Sequence, residues 1–138
     1  MTPDEGKGEH AVEVRVRYAE TDRMGHAYYG AYMAWLEVGR VEYLRARGVT
    51  YRRLEEEGFL LPVREAHVEY LAPAHYDDLL TVRTRIGEVG KSRAEFLTRI
   101  TRGEDEIARA RVTLACVDGS GRPVRVPDAV REALGVAS

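Results

Sequence analysis

The stretch Tyr18-Ala19-Glu20-Thr21-Asp22-Arg23-Met24-Gly25-His26-Ala27-Tyr28-Tyr29-Gly30-Ala31-Tyr32 separates two periodicities, and their order fixes the fold class. Ahead of it, Val12, Val14, Val16 and Tyr18 alternate with Glu13, Arg15 and Arg17, the period of a half-buried strand. Beyond it, Tyr32, Trp35, Leu36, Gly39, Tyr43 and Leu44 recur at spacings of three and four, with Glu37, Arg40, Glu42, Arg45 and Arg47 between them. That pattern predicts an amphipathic helix from Tyr29 to about Arg47, closed by Gly48 in the left-handed conformation glycine tolerates. Residues 19–29 keep neither period and carry Gly25, so they are read as a loop. Gly39 inside the helix costs about 1 kcal/mol relative to alanine, which close packing against a sheet would explain.

Further along, Tyr51–Glu57 predicts a short helix stopped by Gly58, and strand-like segments follow near 60–71, 78–88, 93–102 and 106–118. Residues 102–106 read as a tight hairpin, and Pro127–Leu134 as a small terminal helix with Pro127 near its first turn. One helix followed by a run of antiparallel strands is an α+β fold. The aromatic stripe Tyr32, Trp35, Tyr43 sets the helix in the concave face of the sheet; the outer face and the edge strands then call for a partner. Residues 1–10 are polar and read as a flexible N-terminus, and residues 11–138 as one domain.

Composition narrows the function. With 44% hydrophobic and 32% charged residues the chain is globular, and a net charge of −2 gives no global field for nucleic acid or an anionic membrane. No apolar run approaches the roughly 20 residues of a membrane span, and MTPDEGKGEH has no apolar core segment, so a cytoplasmic setting without a membrane span is expected. Cys116 is the only cysteine, which excludes an internal disulfide; it sits in the apolar run Val112–Val117 and reads as a buried structural thiol. His67 and His75 stand eight apart with no cluster of ligand types, so no metal site is expected. The sequence holds no Asn, no Gln and only two lysines, Lys7 and Lys91. Loss of thermolabile amides suggests a thermophilic source, and GC-rich coding bias would give the same result.

Within residues 18–32 a carboxylate, Asp22, precedes the first turn of the long helix. A helix N-terminus offers unpaired amide donors and a partial positive charge. Such donors polarise a carbonyl and hold a developing oxyanion, while a carboxylate on its far side attacks it or activates water. The residues alone leave this open, because an isolated loop aspartate is ordinarily a turn or cap residue, His26 an exposed loop residue, and Tyr28, Tyr29 and Tyr32 core.

Asp22-x-x-Gly25-x-x-x-Tyr29-x-x-Tyr32, after a strand and opening a helix, resembles the signature of the 4-hydroxybenzoyl-CoA thioesterase-like family, most nearly its Tol-Pal-associated acyl-CoA thioesterases. Val68–Asp78, with its Ala72-Pro73-x-x-Tyr76-Asp77-Asp78, the hairpin strands 79–102 and Cys116-Val117-Asp118 extend the resemblance over roughly residues 12–125. It implies a hotdog fold, a five- to six-stranded antiparallel sheet around one long helix. It also implies a dimer or dimer of dimers, a homotetramer, with the site between subunits. Asp22 would act as nucleophile or general base on the thioester of an acyl-CoA, the Tyr29 amide would polarise the carbonyl, and Gly25 would allow close approach. His26, Tyr28 and Tyr32 would contact substrate. Arg23 stands where the family commonly has Pro or Ala, which bears on acyl specificity.

No cofactor is implied beyond the coenzyme A of the substrate itself. Its phosphates direct attention to the turn Gly90-Lys91-Ser92-Arg93, where the family places coenzyme A contacts, and more weakly to Arg64; a solvated hairpin and an exposed strand arginine are the plain alternatives. Asp77 and Asp78 read as turn-forming, and Glu65 and Glu69 as a shared, solvated strand face. Two other readings remain: a hotdog protein that binds acyl-CoA without cleaving it, and a hotdog dehydratase or hydratase using His26.

Overall fold

In a computed structural model, which describes residues 8–136, the alternating segment forms strand β1, His10–Arg15. The part of the expected flexible N-terminus that covers residues 1–7 lies outside the described residues, as do residues 137–138. Val16 stays tied to the sheet by main-chain bonds to and from the 77–78 turn, and a single 3-10 turn, Tyr18–Glu20, then lifts the chain off it. Helix α1 spans Tyr29–Arg45, two residues short of the expected Arg47, with Gly48 beyond it at φ +85°. Helix α2 is Tyr51–Glu56; the Thr50 hydroxyl caps it by accepting the Arg53 amide at 3.3 Å.

The remaining strands are β2, Val63–Tyr70; β3, Leu79–Val89; β4, Arg93–Arg102; and β5, Asp105–Ala115. Helix α3, Asp128–Ala133, follows with Pro127 at its N-cap. The predicted hairpin is a two-residue turn, with Gly103 at φ +60°. All five strands pair antiparallel in the order β1-β3-β4-β5-β2. Among the described residues, β1 and β2 are therefore the edges, each with one unpaired side.

Register decides which face is inside. Leu80, Val82 and Thr84 of β3, Phe96, Thr98 and Ile100 of β4, and Ala108, Ala110 and Val112 of β5 line up across the sheet and are buried. The opposite face carries Arg83, Arg99 and Arg109 in one cross-strand row, with Glu9 and Glu106 as counterions.

Helix α1 sits on the inner face, but off centre. Its close approach is to β1, β3 and β4, and it reaches β2 through tyrosines of its first turn. Further along β2, Ala66 is exposed and Val68 only half-buried, although both stand opposite buried residues of β5. Hydrophobic side chains at Leu60, Val63, Tyr70 and Leu71 are likewise left in solvent.

Gly39 explains how deep α1 lies on its side of the sheet. A Cβ there would stand 2.5 Å from Thr84 Oγ1 and 2.8 Å from Val82 Cγ1, inside any real contact distance. The helix therefore cannot sit this close with a side chain at that position. Gly39→Ala gains about 1 kcal/mol of helix propensity but overpacks the interface by about 1–3 kcal/mol. The expected net result is a lower thermal midpoint, read by circular dichroism, whereas a solvent-facing glycine would give a higher one.

Candidate active site

The loop between β1 and α1 is organised by two carboxylates. Glu20 is buried, and its Oε1 accepts the Arg17 amide at 2.8 Å while its Oε2 accepts Trp35 Nε1 at 3.1 Å and Arg17 Nη2 at 3.4 Å. Its carbonyl accepts the Tyr28 amide at 3.0 Å, so one residue fastens the start of the loop to its end. Asp22 then folds the loop on itself. Its Oδ1 accepts the amides of Met24 at 2.8 Å and His26 at 3.2 Å, and its own amide donates to the His26 carbonyl at 2.8 Å. Oδ2 takes no hydrogen bond among the described residues and is the free oxygen of the pair.

Gly25 sits at φ +77° with open space where a Cβ would be. Its backbone conformation requires glycine in the structure as it stands, independently of any approach by a ligand.

Asp22, His26, Tyr28, Tyr29 and Tyr32 line one cleft of about 410 Å³. Tyr28 is the N-cap of α1 and Tyr29 its first residue. The Tyr28 amide is taken by Glu20 and the Ala31 amide by the Tyr28 carbonyl, whereas the Tyr29 and Gly30 amides meet no acceptor among the described residues. Asp22 and Tyr29, which carries one of the unpaired amides, thus line the same cavity. Gly30 belongs to this packing, since a Cβ on it would stand 3.0 Å from the Tyr28 ring.

The far wall was not anticipated from the sequence. Tyr70, at the end of β2, packs its ring 4.6 Å from that of Tyr29 and 4.9 Å from that of Tyr32, centre to centre, and Leu71, Ala72 and Pro73 continue the wall. Burial pushes the Tyr32 hydroxyl above its ordinary value, partly offset by the Ala74 amide, so it stays a neutral donor. The Val68–Asp78 stretch carried a signal of resemblance, but nothing in its periodicity says that it meets residues 26–32.

The proposed coenzyme A residues lie elsewhere. Lys91 and Ser92 lie in the β3–β4 turn and Arg93 opens β4, while Arg64 is the second residue of β2, close to the end of β5 that flanks that turn. All four share one end of the sheet. Asp22 is at the other, beside the starts of β3 and β5, roughly 33 Å away by the rise of an eleven-residue strand. A single chain does not bring the two halves together.

Other candidates resolve plainly. Cys116 is fully buried, and burial pushes its thiol up, as expected of a structural residue. Asp77 and Asp78 do form a turn, with Asp77 at φ +69°. Glu65 and Glu69 are exposed on the outer face. The ring neighbour of His26 is His75, with centroids 4.9 Å apart, rather than an acid. Among the described residues no group of His, Cys, Asp and Glu could hold a metal, and no helix is long and apolar enough to cross a membrane. A larger cavity, about 880 Å³, opens beside the C-terminal ends of α1 and α3, where the unpaired helix groups are carbonyls, with Arg47 and Arg85 also in its lining.

The model of the thioesterase-like superfamily matches residues 16–134, nearly all of the described chain. The chain belongs to the thioesterase-like superfamily. It is 37% identical over 122 residues to the acyl-CoA thioesterase YbgC of Haemophilus influenzae, covering 87% of this chain and 90% of that one. It is 35% identical over 107 residues to a putative acyl-CoA thioesterase, YneP, of Bacillus subtilis, covering 77% and 78%. Among solved structures, a hypothetical protein from Thermus thermophilus superposes with a TM-score of 0.86 at 34% identity over 91% of this chain and 96% of that one. A DHNA-CoA thioesterase from Staphylococcus aureus superposes with a TM-score of 0.87 at 27% identity, covering 92% and 89%. The fold is the hotdog fold of these neighbours.

The loop geometry predicts a separate stability role for Glu20. Glu20→Ala strips the acceptor from the Trp35 indole and the Arg17 amide, at about 1–3 kcal/mol. Urea denaturation should show the unfolding free energy lower by that amount, as a lower midpoint with an unchanged slope, and an unchanged midpoint would remove Glu20 from the loop's support.

Proposed function

We propose that this chain is a cytoplasmic acyl-CoA thioesterase that uses Asp22 and the N-terminus of α1 to hydrolyse the thioester. The observation that carries this reading is the shared cleft: Asp22, with one carboxylate oxygen free of hydrogen bonds, lines it together with Tyr29, the first residue of α1, whose amide is unpaired. A thioester carbonyl between them has its oxygen held by the Tyr29 amide, and its carbon open to Asp22 or to a water that Asp22 activates. With water as the attacking group, the tetrahedral intermediate collapses to the free acid with loss of the coenzyme A thiolate, the proton taken by Asp22 passing to the thiolate or to solvent; with Asp22 as the attacking group, the same collapse leaves an acyl anhydride on Asp22 that a water then hydrolyses. Gly25, His26, Tyr28 and Tyr32 belong to the acyl side.

Asp22→Asn keeps the loop's Oδ1 acceptor and removes the base. Thiol release from acyl-CoA should fall by about 100-fold or more, with folding and mass unchanged; wild-type turnover in this variant would refute the role. Assays across short, long and aromatic acyl groups are best run warm, in keeping with the absence of Asn and Gln.

The working unit we infer is at least a dimer. The open side of β2, its uncovered Ala66 and Val68, and the exposed Val63, Tyr70 and Leu71 call for a second sheet edge. Antiparallel pairing of β2 with its copy would carry the copy's Arg64 end toward this chain's Tyr70 end. The turn Lys91-Ser92-Arg93 of one subunit would then approach Asp22 of the other, completing an acyl-CoA site from two half-sites. A homotetramer would pair two such dimers. Ala66→Asp places a charge in this join. Light scattering should shift toward the 15.5 kDa single chain and activity should fall with it; an unchanged mass would exclude β2 as the contact.

A further inference from the structure

A second loop buttresses the one that carries Asp22. Residues 71–78 connect β2 to β3, and they touch the Asp22 loop at two consecutive positions. The Ala27 amide donates to the Ala74 carbonyl at 2.7 Å, and His26 and His75 form an isolated antiparallel bridge. Beside that bridge the imidazole rings of His26 and His75 meet edge to face, 4.9 Å between centres and 77° between planes. His26 is the residue whose amide and carbonyl both bond Asp22. Any turn of the His26 backbone therefore turns the carboxylate.

The supporting loop is itself held from behind. Asp78 Oδ2 accepts the His75 amide at 2.8 Å and Arg102 Nη1 at 2.8 Å, and the same Arg102 nitrogen donates to the Pro73 carbonyl at 3.1 Å. Burial pushes the Asp78 carboxyl up, but the His75 amide and the Arg102 guanidinium outweigh it and hold it below the usual carboxylate range. Asp77 accepts a left-handed φ of +69°, with its amide donating to the Val16 carbonyl at 2.9 Å and its carbonyl accepting Arg15 Nη1 at 2.9 Å. The loop is thus fastened to β1 and to the end of β4. The His75 ring does not line the cleft that holds Asp22.

We propose that His75 is a positioning residue whose ring, packed against His26, sets the orientation of the Asp22 carboxylate. The inference rests on the catalytic reading of Asp22 for its kinetic consequence, though not for its structural one. The His26 contact is edge to face between the rings; His75 Nδ1 also stands 3.7 Å from Asp78 Oδ2, and phenylalanine at 75 keeps the first contact while giving up the second.

The test compares His75→Ala with His75→Phe in the full chain. His75→Ala should lower kcat about tenfold, since small misplacements of a reacting group are costly, with KM for acyl-CoA within about twofold of wild type. Amide hydrogen exchange at Met24 and His26, whose N–H groups bond Asp22 Oδ1, should accelerate about tenfold. His75→Phe, which keeps an aromatic ring, should bring both quantities back to within about twofold. The proposal is overturned if His75→Ala leaves the exchange rates of Met24 and His26 unchanged, or if His75→Phe is as impaired as His75→Ala. Should alanine prevent folding, the phenylalanine variant alone decides: near-wild-type kcat and exchange support the ring contact, and a tenfold loss removes it. Asp22→Asn measured alongside separates the two ideas. Wild-type turnover there defeats the catalytic reading, while the exchange rates still judge the brace.

Discussion

Glu20 brings a negative charge into the protein interior, and the loop that carries Asp22 is arranged around satisfying it. A buried carboxylate without partners would cost several kcal/mol. Here Arg17 supplies an amide and a guanidinium, and Trp35 supplies an indole N–H from the second turn of α1. The Trp35 bond is the consequential one, because it joins the loop to the helix it precedes. The residue's carbonyl adds the Tyr28 amide, and with that the N-cap of α1 is fixed relative to the end of β1. Asp22 lies between those two fixed points. Its position follows from a charge two residues away that takes no part in the chemistry.

The same economy governs where the cleft opens. Gly39 lets α1 settle onto β3, its missing Cβ leaving room for Val82 and Thr84. A helix seated this closely over β1, β3 and β4 cannot also cover β2. The N-terminal turn of α1 reaches β2 only through Tyr29 and Tyr32 against Tyr70, and the cleft is the space beneath that bridge. The uncovered part of β2 is therefore a result of the deep seat of the helix. Close packing on one side leaves apolar surface uncovered on the other.

Most of the architecture was legible from periodicity. Val12, Val14 and Val16 gave β1, and Tyr32, Trp35, Leu36, Tyr43 and Leu44, all buried, gave the inner face of α1. Asp22 and Tyr29 could be paired because both lie in one short segment whose ends have defined structures. What could not be read involves residues far apart in sequence. Tyr70 reaches Tyr32 and His75 reaches His26 only because the β2–β3 connection passes over the start of α1, and no local pattern encodes that crossing. Glu20 was passed over for a different reason. A glutamate three residues after an arginine looks like an exposed pair, and only the fold shows that Trp35 draws it inside. The turn 90–93 and Arg64 lie at one end of the sheet; their separation from Asp22 follows from strand length once the register is known.

Orientation is the property that two loops and a helix end must agree on. An aspartate carboxylate turns about two bonds, Cα–Cβ and the softer Cβ–Cγ, and the amides of Met24 and His26 on Oδ1 restrict both. Those amides belong to a loop with a left-handed glycine, which alone would leave it free to flex. Stiffness has to come from outside. It comes from the Ala74–His75 edge, whose own turn holds Asp77 in a conformation that costs roughly 1 kcal/mol or more and persists because β1 and Arg102 fasten the turn on both sides. Strain of that kind is retained where the surrounding bonds over-determine the backbone. Here they do so immediately behind the one carboxylate in the cleft with an oxygen to spare.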